Sequence, residues 1–417
     1  MGIANGNRLI QSLSHLLAAG PPEGAGPVEA RQIEHLLGIY YRHISSEDLE
    51  EHDPQDLLGA LIAHWRLMQD RRPDEAKVRV YNPEQEEHGW RSEDTIVEVV
   101  ARDMPFLIDS ISAALNAEGL AIRLTIHPVF AVVRDNNGRL KAIDDTDTGD
   151  EAAGPEAIIQ RHVDRQPEAA LARLQSLVQG VIADVTLTTS DWLAMKGFAE
   201  GVQAELAVVP VQGAEEDNAE AQAFLNWMIN DHFLFIACCT FDLHDGSADD
   251  GLRFVDGSGL GMLRGGDSAR ARADQWLSGL AAGLSASDTD LMVTKTNAKS
   301  TVHRPVYMDC VTLKRRDAEG LLVGLYCFIG LFSSGAYSTP PRQIPLLRKK
   351  VEAVYAGARV SPRSHSGRVV ANVLDNFPRD ALFQISNEDL LATTLGVLSL
   401  QERQRTRLFI IREPFRR

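Results

Sequence analysis

The sequence predicts an α+β protein of tandem small domains, and three observations carry that expectation. Residues 1–72 place apolar side chains at three- and four-residue spacing, residues 77–143 and 291–332 hold runs with strand period, and residues 341–417 return largely to helical spacing. At 417 residues the chain exceeds the usual single-core size, so two or three domains are expected, each able to bury an interior.

The first segment, residues 1–76, is read as helical from RLIQSLSHLLAAG, ARQIEHLLGIYYRHI and DPQDLLGALIAHWRLMQ, with Asp53 and Pro54 suited to a helix start. KVRVYNP then alternates as a strand does, and TIVEVVA is a short apolar run of the buried-strand kind. Asp103 is expected to cap the next helix, with Pro105 in its first turn. Leu107, Ile108, Ile111, Ala114 and Leu115 form that helix's apolar face, and Gly119 supplies the left-handed stop.

In AIRLTIHPVFAVVRD, strict alternation sends Ile122, Leu124 and Ile126 one way and Arg123, Thr125 and His127 the other. Asn137-Gly138 turns a hairpin into RLKAID. Strand, helix, strand, strand is the opening of a ferredoxin-like unit, whose helices are expected on one sheet face and whose edge strand is expected to stay open for pairing with another subunit. DDTDTGDEAAGP reads as an acidic loop, EAIIQRHVDR as a strand, and PEAALARLQSLVQGVIADV as a helix lined by Leu171, Leu174, Leu177 and Val178. GAEEDNAE marks a boundary.

A second domain, residues 213–340, opens with AQAFLNWMINDHFLFIACCTFDL, a helix running into a strand. It continues through the glycine-rich DGSGLGMLRGG and a helix around DQWLSGLAAGL. LMVTKTNA, RPVYMDCVTLKR and GLLVGLYCFIGLF read as strands of one sheet, with an Asp-Ala-Glu-Gly turn between the last two. Residues 341–417 read as a helical linker in which RLFIIREPFRR begins a strand, the start of a further unit.

Charge excludes some functions. A formal net charge of −16 repels nucleic acid and anionic membrane surfaces, and no apolar run approaches a bilayer span, so the expected protein is cytoplasmic with neither as a partner. Residues 341–417 carry 14 basic against 7 acidic residues, while residues 1–340 carry 28 against 51, which points either to docking of the tail on the body or on a neighbouring subunit, or to a solvated basic helix surface. Cys238, Cys239, Cys310 and Cys327 lack metal spacing and read as core residues.

Motifs that carry chemistry are sparse. DGSGLG lacks the spacing of a dinucleotide loop, and no phosphate-binding lysine motif or nucleophile elbow is present. His127, His232 and His303 are isolated histidines for which a satisfied structural role is expected. Lys295, Lys299, His303 and Arg304 in a polar stretch either contact an anion or form a wet sheet edge. The start of the helix after Asp103 is either an effector site or a simple cap.

DMPFLIDSISAALNAEGLAIRLTIHPVFAVVRD, preceded by YNPEQEEHGWRSEDTIVEVV, resembles the first ACT-type domain of the large bacterial NAD-specific glutamate dehydrogenases. TKTNAKSTVHRPVYMDCVTLKRRDAEGLLVGLYCFIGLF, SSGAYSTPPRQIPLLRKKVEAV and NFPRDALFQI are similar to that family in the same order. The resemblance implies an ACT-like domain with following helices over 77–212, a PAS-like antiparallel sheet domain over 213–340, and a linker over 341–417.

It further implies regulation and assembly of a glutamate-deaminating enzyme. NAD would bind elsewhere in the parent polypeptide, with no catalytic, cofactor or metal residue in this chain. Implied partners are a homo-oligomer formed through ACT-like domains, the remaining polypeptide and an amino-acid effector. Asp103, Met104, Pro105, Phe106, Arg123 and His127 are the candidate effector or subunit contacts. Phe106 stands where amino-acid-binding ACT domains often carry an effector-loop glycine, which shifts that loop toward subunit contact. The alternatives are a free-standing ACT/PAS-type amino-acid sensor and an enzyme using His303 with Arg304.

Overall fold

A computed structural model of the chain describes residues 2–20, 27–144, 153–208, 215–243, 251–278 and 289–400. The acidic loop, the second half of the helix expected around DQWLSGLAAGL, and RLFIIREPFRR fall wholly or mainly outside the described residues. The chain divides into two compact units, Met1–Thr186 with Thr301–Pro305, and Leu187–Ser300 with Val306–Arg417.

The first unit is built on an antiparallel sheet of β1 (Lys77–Tyr81), β2 (Thr95–Arg102), β3 (Ile122–Ile126), β4 (Val129–Arg134), β5 (Leu140–Asp144) and β6 (Ala153–Val163), in the order β1-β2-β6-β4-β5 with β3 also on β6. Ile126 pairs with Gln160 and Val129 with Ala157, so β3 and β4 follow one line along β6, interrupted at His127-Pro128. Proline has no N–H to give the ladder there. β2, the helix Leu107–Ala117 and the β3/β4 line form a split βαβ unit around β6, which is the ferredoxin-like expectation. The fourth position is taken by β1, which precedes the unit in sequence.

Helices cover both sheet faces, where one was expected. Leu107, Ile111 and Leu115, with Leu171, Leu174 and Val178 of the helix Glu168–Ser190, bury Val97, Val99 and Ile159. On the opposite face Leu36, Leu37, Leu61 and Trp65 of the N-terminal helices bury Val100, Leu124, Ile126 and Ile158. The physical reason lies in β2, where every residue but Arg102 is buried. A strand apolar on both faces needs two covers, and each leucine so buried contributes about 1.5–3 kcal/mol.

Polar contacts tie the N-terminal layer to the sheet. Tyr40 Oη lies 2.7 Å from His64 Nδ1, and His64 Nε2 lies 3.3 Å from the Val99 carbonyl. Asp53 caps the helix Pro54–Met68 by accepting from Gln55 N at 2.8 Å, as expected. Gly59 in that helix faces Trp90 closely enough that an added methyl would overlap Trp90 Cβ, which explains a helix-weakening residue at this position.

Three local expectations are corrected. Asp103 does not cap the next helix: Met104-Pro105-Phe106 turns first, the helix begins at Leu107, and Asp103 N donates to the Pro155 carbonyl at 3.0 Å. Alternation along β3 breaks because Ile122 pairs with Val163 and Leu124 with His162, leaving Arg123 as the extra residue of a bulge. Ile122 therefore packs with the cluster of one face and Leu124 with that of the other. The sheet edges are also partly closed. Val80 N donates to Gln175 Oε1 at 3.3 Å, Leu140 N to the Gln69 carbonyl at 2.8 Å, and Gln32 Nε2 to the Lys141 carbonyl at 2.7 Å.

The second unit is built on an antiparallel sheet of β7 (Phe233–Leu243), β8 (Leu252–Phe254), β9 (Leu260–Gly261), β10 (Leu291–Lys299), β11 (Tyr307–Arg316) and β12 (Leu322–Phe332), in the order β10-β11-β12-β7-β8 with β9 on β7. Helices Trp192–Val208, Glu215–Trp227, Leu347–Ala358, His365–Asn376 and Asn387–Leu398 share a core with Phe233, Phe235, Val311 and Phe328. Part of the basic tail docks, the first of the two arrangements the charge split allows: Arg348 binds Glu220 and Lys349 lies 3.0 Å from Asp217. All four cysteines are free and buried, Cys327 directly across from Cys239. Burial pushes the Cys238, Cys239 and Cys327 thiols up, so these remain neutral core groups.

Candidate functional site

Phe106 takes a left-handed backbone, φ 68°, at the start of the helix Leu107–Ala117. Glycine would adopt this conformation without steric cost, so the loop keeps a glycine-type geometry with an aromatic side chain. The Phe106 ring lies 5.1 Å from that of His303, which is also left-handed at φ 65° and belongs to the same unit. Ser110 Oγ donates to the Phe106 carbonyl at 2.6 Å and accepts from His303 N at 2.9 Å, and His303 Nδ1 lies 3.4 Å from Asp109.

Met104 Sδ accepts from Thr186 Oγ1 at 3.7 Å, and Pro105 is exposed. Burial lowers the His127 pKa against the pull of Asp103, with the nearby Arg161 charge lowering it further. His127 Nε2 is buried without a hydrogen-bond partner, so this histidine does not fit the satisfied role expected of it. His232 does: Nδ1 lies 3.0 Å from the Trp227 carbonyl and the ring stacks on Trp227.

Lys295 and Lys299 are engaged within the second unit. Lys295 is held 2.7 Å from both Asp309 and Asp380, and Lys299 lies over the Tyr307 ring at 5.8 Å. His303 and Arg304 belong to the first unit, whereas both lysines belong to the second. Burial raises the Asp309 pKa to about 7, with Lys295 pulling it down and Asp380 pushing it up.

DGSGLG offers no cradle for the pyrophosphate of NAD. A methyl group at Gly259 would overlap the Leu263 carbonyl and one at Gly261 the Ile236 carbonyl, so the chain's own backbone fills that space. Gly261 N donates to Asp191 Oδ2 at 2.8 Å and is not available to an anion. Among the described residues, no group of three or more His, Cys, Asp or Glu is arranged to hold a metal ion.

Arg123 lies elsewhere, at a cavity of about 520 Å3 in the first unit. The bulge in β3 positions its guanidinium 3.3 Å from Asp94 and 2.9 Å from Asp164. Residues 48–56 and 90–94 supply further carboxylates, and Trp90, Asp94 and His162 are buried within the lining. The His52 and His162 rings meet at 5.6 Å. Burial and the neighbouring His162 lower the His52 pKa against Asp94, Glu51 and Asp56. Sequence reading found Arg123 alone. The acid-rich stretches DLEEHDPQD and WRSED were the available signal.

An ACT-type α+β unit joined to a second antiparallel sheet unit under helices is the class this architecture defines. The glutamate dehydrogenase ACT1 domain family matches residues 36–178, and the glutamate dehydrogenase helical motif 1 family matches residues 344–403. An NAD-specific glutamate dehydrogenase of Halomonas elongata is 34% identical over 393 residues, 93% of this chain and 24% of that protein. Its namesake in Pseudomonas aeruginosa is 30% identical over 404 residues, 97% of this chain and 25% of that protein. That of Mycobacterium tuberculosis is 27% identical over 364 residues, 86% of this chain and 21% of that protein. The chain belongs to the large NAD-specific glutamate dehydrogenase family. It spans about a quarter of the length of the first two of these relatives.

Proposed function

We propose that this chain is the non-catalytic N-terminal regulatory and assembly region of a large, cytoplasmic NAD-dependent glutamate dehydrogenase. The parent would convert glutamate, NAD and water to 2-oxoglutarate, ammonium and NADH at residues outside this chain. One observation carries the reading: ACT1 and helical-motif segments of that family occur in order, while the buried carboxylate Glu156 of the ACT1 segment is paired with Arg71 and Arg134. A group whose charge is already matched inside the fold serves packing more readily than bond-making.

In this reading residues 1–76 cover the ACT-like domain, 77–212 hold that domain with its following helices, 213–340 form a PAS-like domain, and 341–417 link to a further ACT-like unit. The antiparallel sheet of the second unit, packed against helices, supports the PAS-like assignment. Assembly is supported by the exposed Trp192 and Leu193 and by the opposite charges of tail and body. Sedimentation velocity on the 417-residue chain tests it. Reversible association that grows with concentration is expected, and a strict monomer at high concentration would remove assembly from the reading.

A further inference from the structure

Six carboxylates line the cavity at Arg123: Asp48, Glu51, Asp53, Asp56, Glu93 and Asp94. Only two guanidinium groups face them, and both are engaged, Arg91 4.0 Å from Asp56 and Arg123 with Asp94 and Asp164. Glu51 and Glu93 are exposed and pair with no cation among the described residues. Close carboxylates without counter-charge repel, and a positively charged occupant relieves that repulsion.

The floor supplies an independent observation. His162 is 3% exposed, and its Nδ1 has no hydrogen-bond partner. Nε2 lies 3.3 Å from Gln160 Oε1, so in the tautomer that donates from Nε2, Nδ1 is an acceptor. It stands 3.6 Å from the Asp94 carboxylate. Two acceptors this close call for a shared donor between them. The His52 ring lies 5.6 Å from that of His162, and Trp90 lines the same cavity.

We propose that this cavity binds a small organic polyamine, with one ammonium group shared by His162 Nδ1 and Asp94 and a second held by Glu51 and Glu93 at the rim. A volume of about 520 Å3 is far larger than a single ion, and the lining lacks a metal-ligand arrangement. With Arg91 and Arg123 already paired, a ligand carboxylate would meet only like charge. The occupant is therefore an amine without a carboxylate, which differs from the amino-acid effector expected from sequence. The claim goes beyond the regulatory reading and can fail separately from it, because the test below reads binding to this chain alone.

Isothermal titration of the 417-residue chain with cadaverine and with spermidine at low ionic strength tests the site. One-to-one binding is expected, weakened about tenfold in Glu51→Gln/Glu93→Gln, the equivalent of ~1.4 kcal/mol. Glu200→Gln/Glu388→Gln removes the same formal charge from another part of the chain and should leave binding unchanged. L-lysine, which is cadaverine with a carboxylate, should bind far more weakly. The proposal is overturned if neither amine binds, if both double variants weaken binding equally, if L-lysine matches cadaverine, or if magnesium chloride competes at equal concentration. Matching thermal melts of the two double variants establish that folding is intact.

Discussion

Phe106 and His303 both hold left-handed backbones, φ 68° and 65°, and their rings meet at 5.1 Å with Ser110 Oγ bonded to the backbone of each. The left-handed region costs an L-residue roughly 1–2 kcal/mol, and the ring contact and the hydrogen bonds offset it here. Phe106→Ala keeps the backbone cost and loses the ring. Phe106→Gly loses the ring and removes the cost. Thermal denaturation should therefore show the alanine variant less stable than the glycine variant by about 1 kcal/mol, the reverse of the order inside a helix. Equal stability of the two would contradict the left-handed assignment.

Glu156 is buried between two arginines, with Oε1 2.8 Å from Arg71 and 2.7 Å from Arg134. Burial pushes its pKa up, but the hydrogen bonds and charges of Arg134 and Arg71 together hold it below the usual carboxylate range. Glu156→Gln leaves two buried guanidinium groups facing a neutral amide, with an expected loss of about 3–5 kcal/mol in urea denaturation. A depressed folded pKa gives stability that is present above the unfolded value and lost as pH falls through the folded one. The variant should lack that part of the acid limb.

Asp309 carries the opposite sign. Its folded pKa, raised to about 7, means that the folded chain retains a proton the unfolded chain has released. The favourable contribution is complete below the unfolded value of about 4 and is lost as pH rises through about 7, at up to ~1.4 kcal/mol per pH unit. Asp309→Asn removes this titration. Stability measured from pH 4 to 7 should fall less steeply in the variant, and an unchanged slope would assign the proton to another group.

Local chemistry made much of the fold legible. The short, mostly apolar run of β2, the Asp53-Pro54 helix start and the Asn137-Gly138 turn each depend on neighbours within a few residues, and each is found as read. The second helical cover was implicit in β2, because an apolar strand without polar alternation has no face to give to water. The Arg123 bulge and the Phe106 turn were hidden, since tertiary pairing decides them against local preference. The cavity was hidden for a different reason. Its lining comes from residues 48–60, 90–94, 123–124 and 162, which only the fold assembles.

In the proposed reading these units tune a reaction whose chemistry lies outside this chain. The most direct measurement is NADH formation from glutamate and NAD by the purified 417-residue protein, with its melting curve confirming that it is folded. No turnover above buffer is expected. Glutamate-dependent NADH formation that persists through purification and disappears in His303→Ala would contradict it.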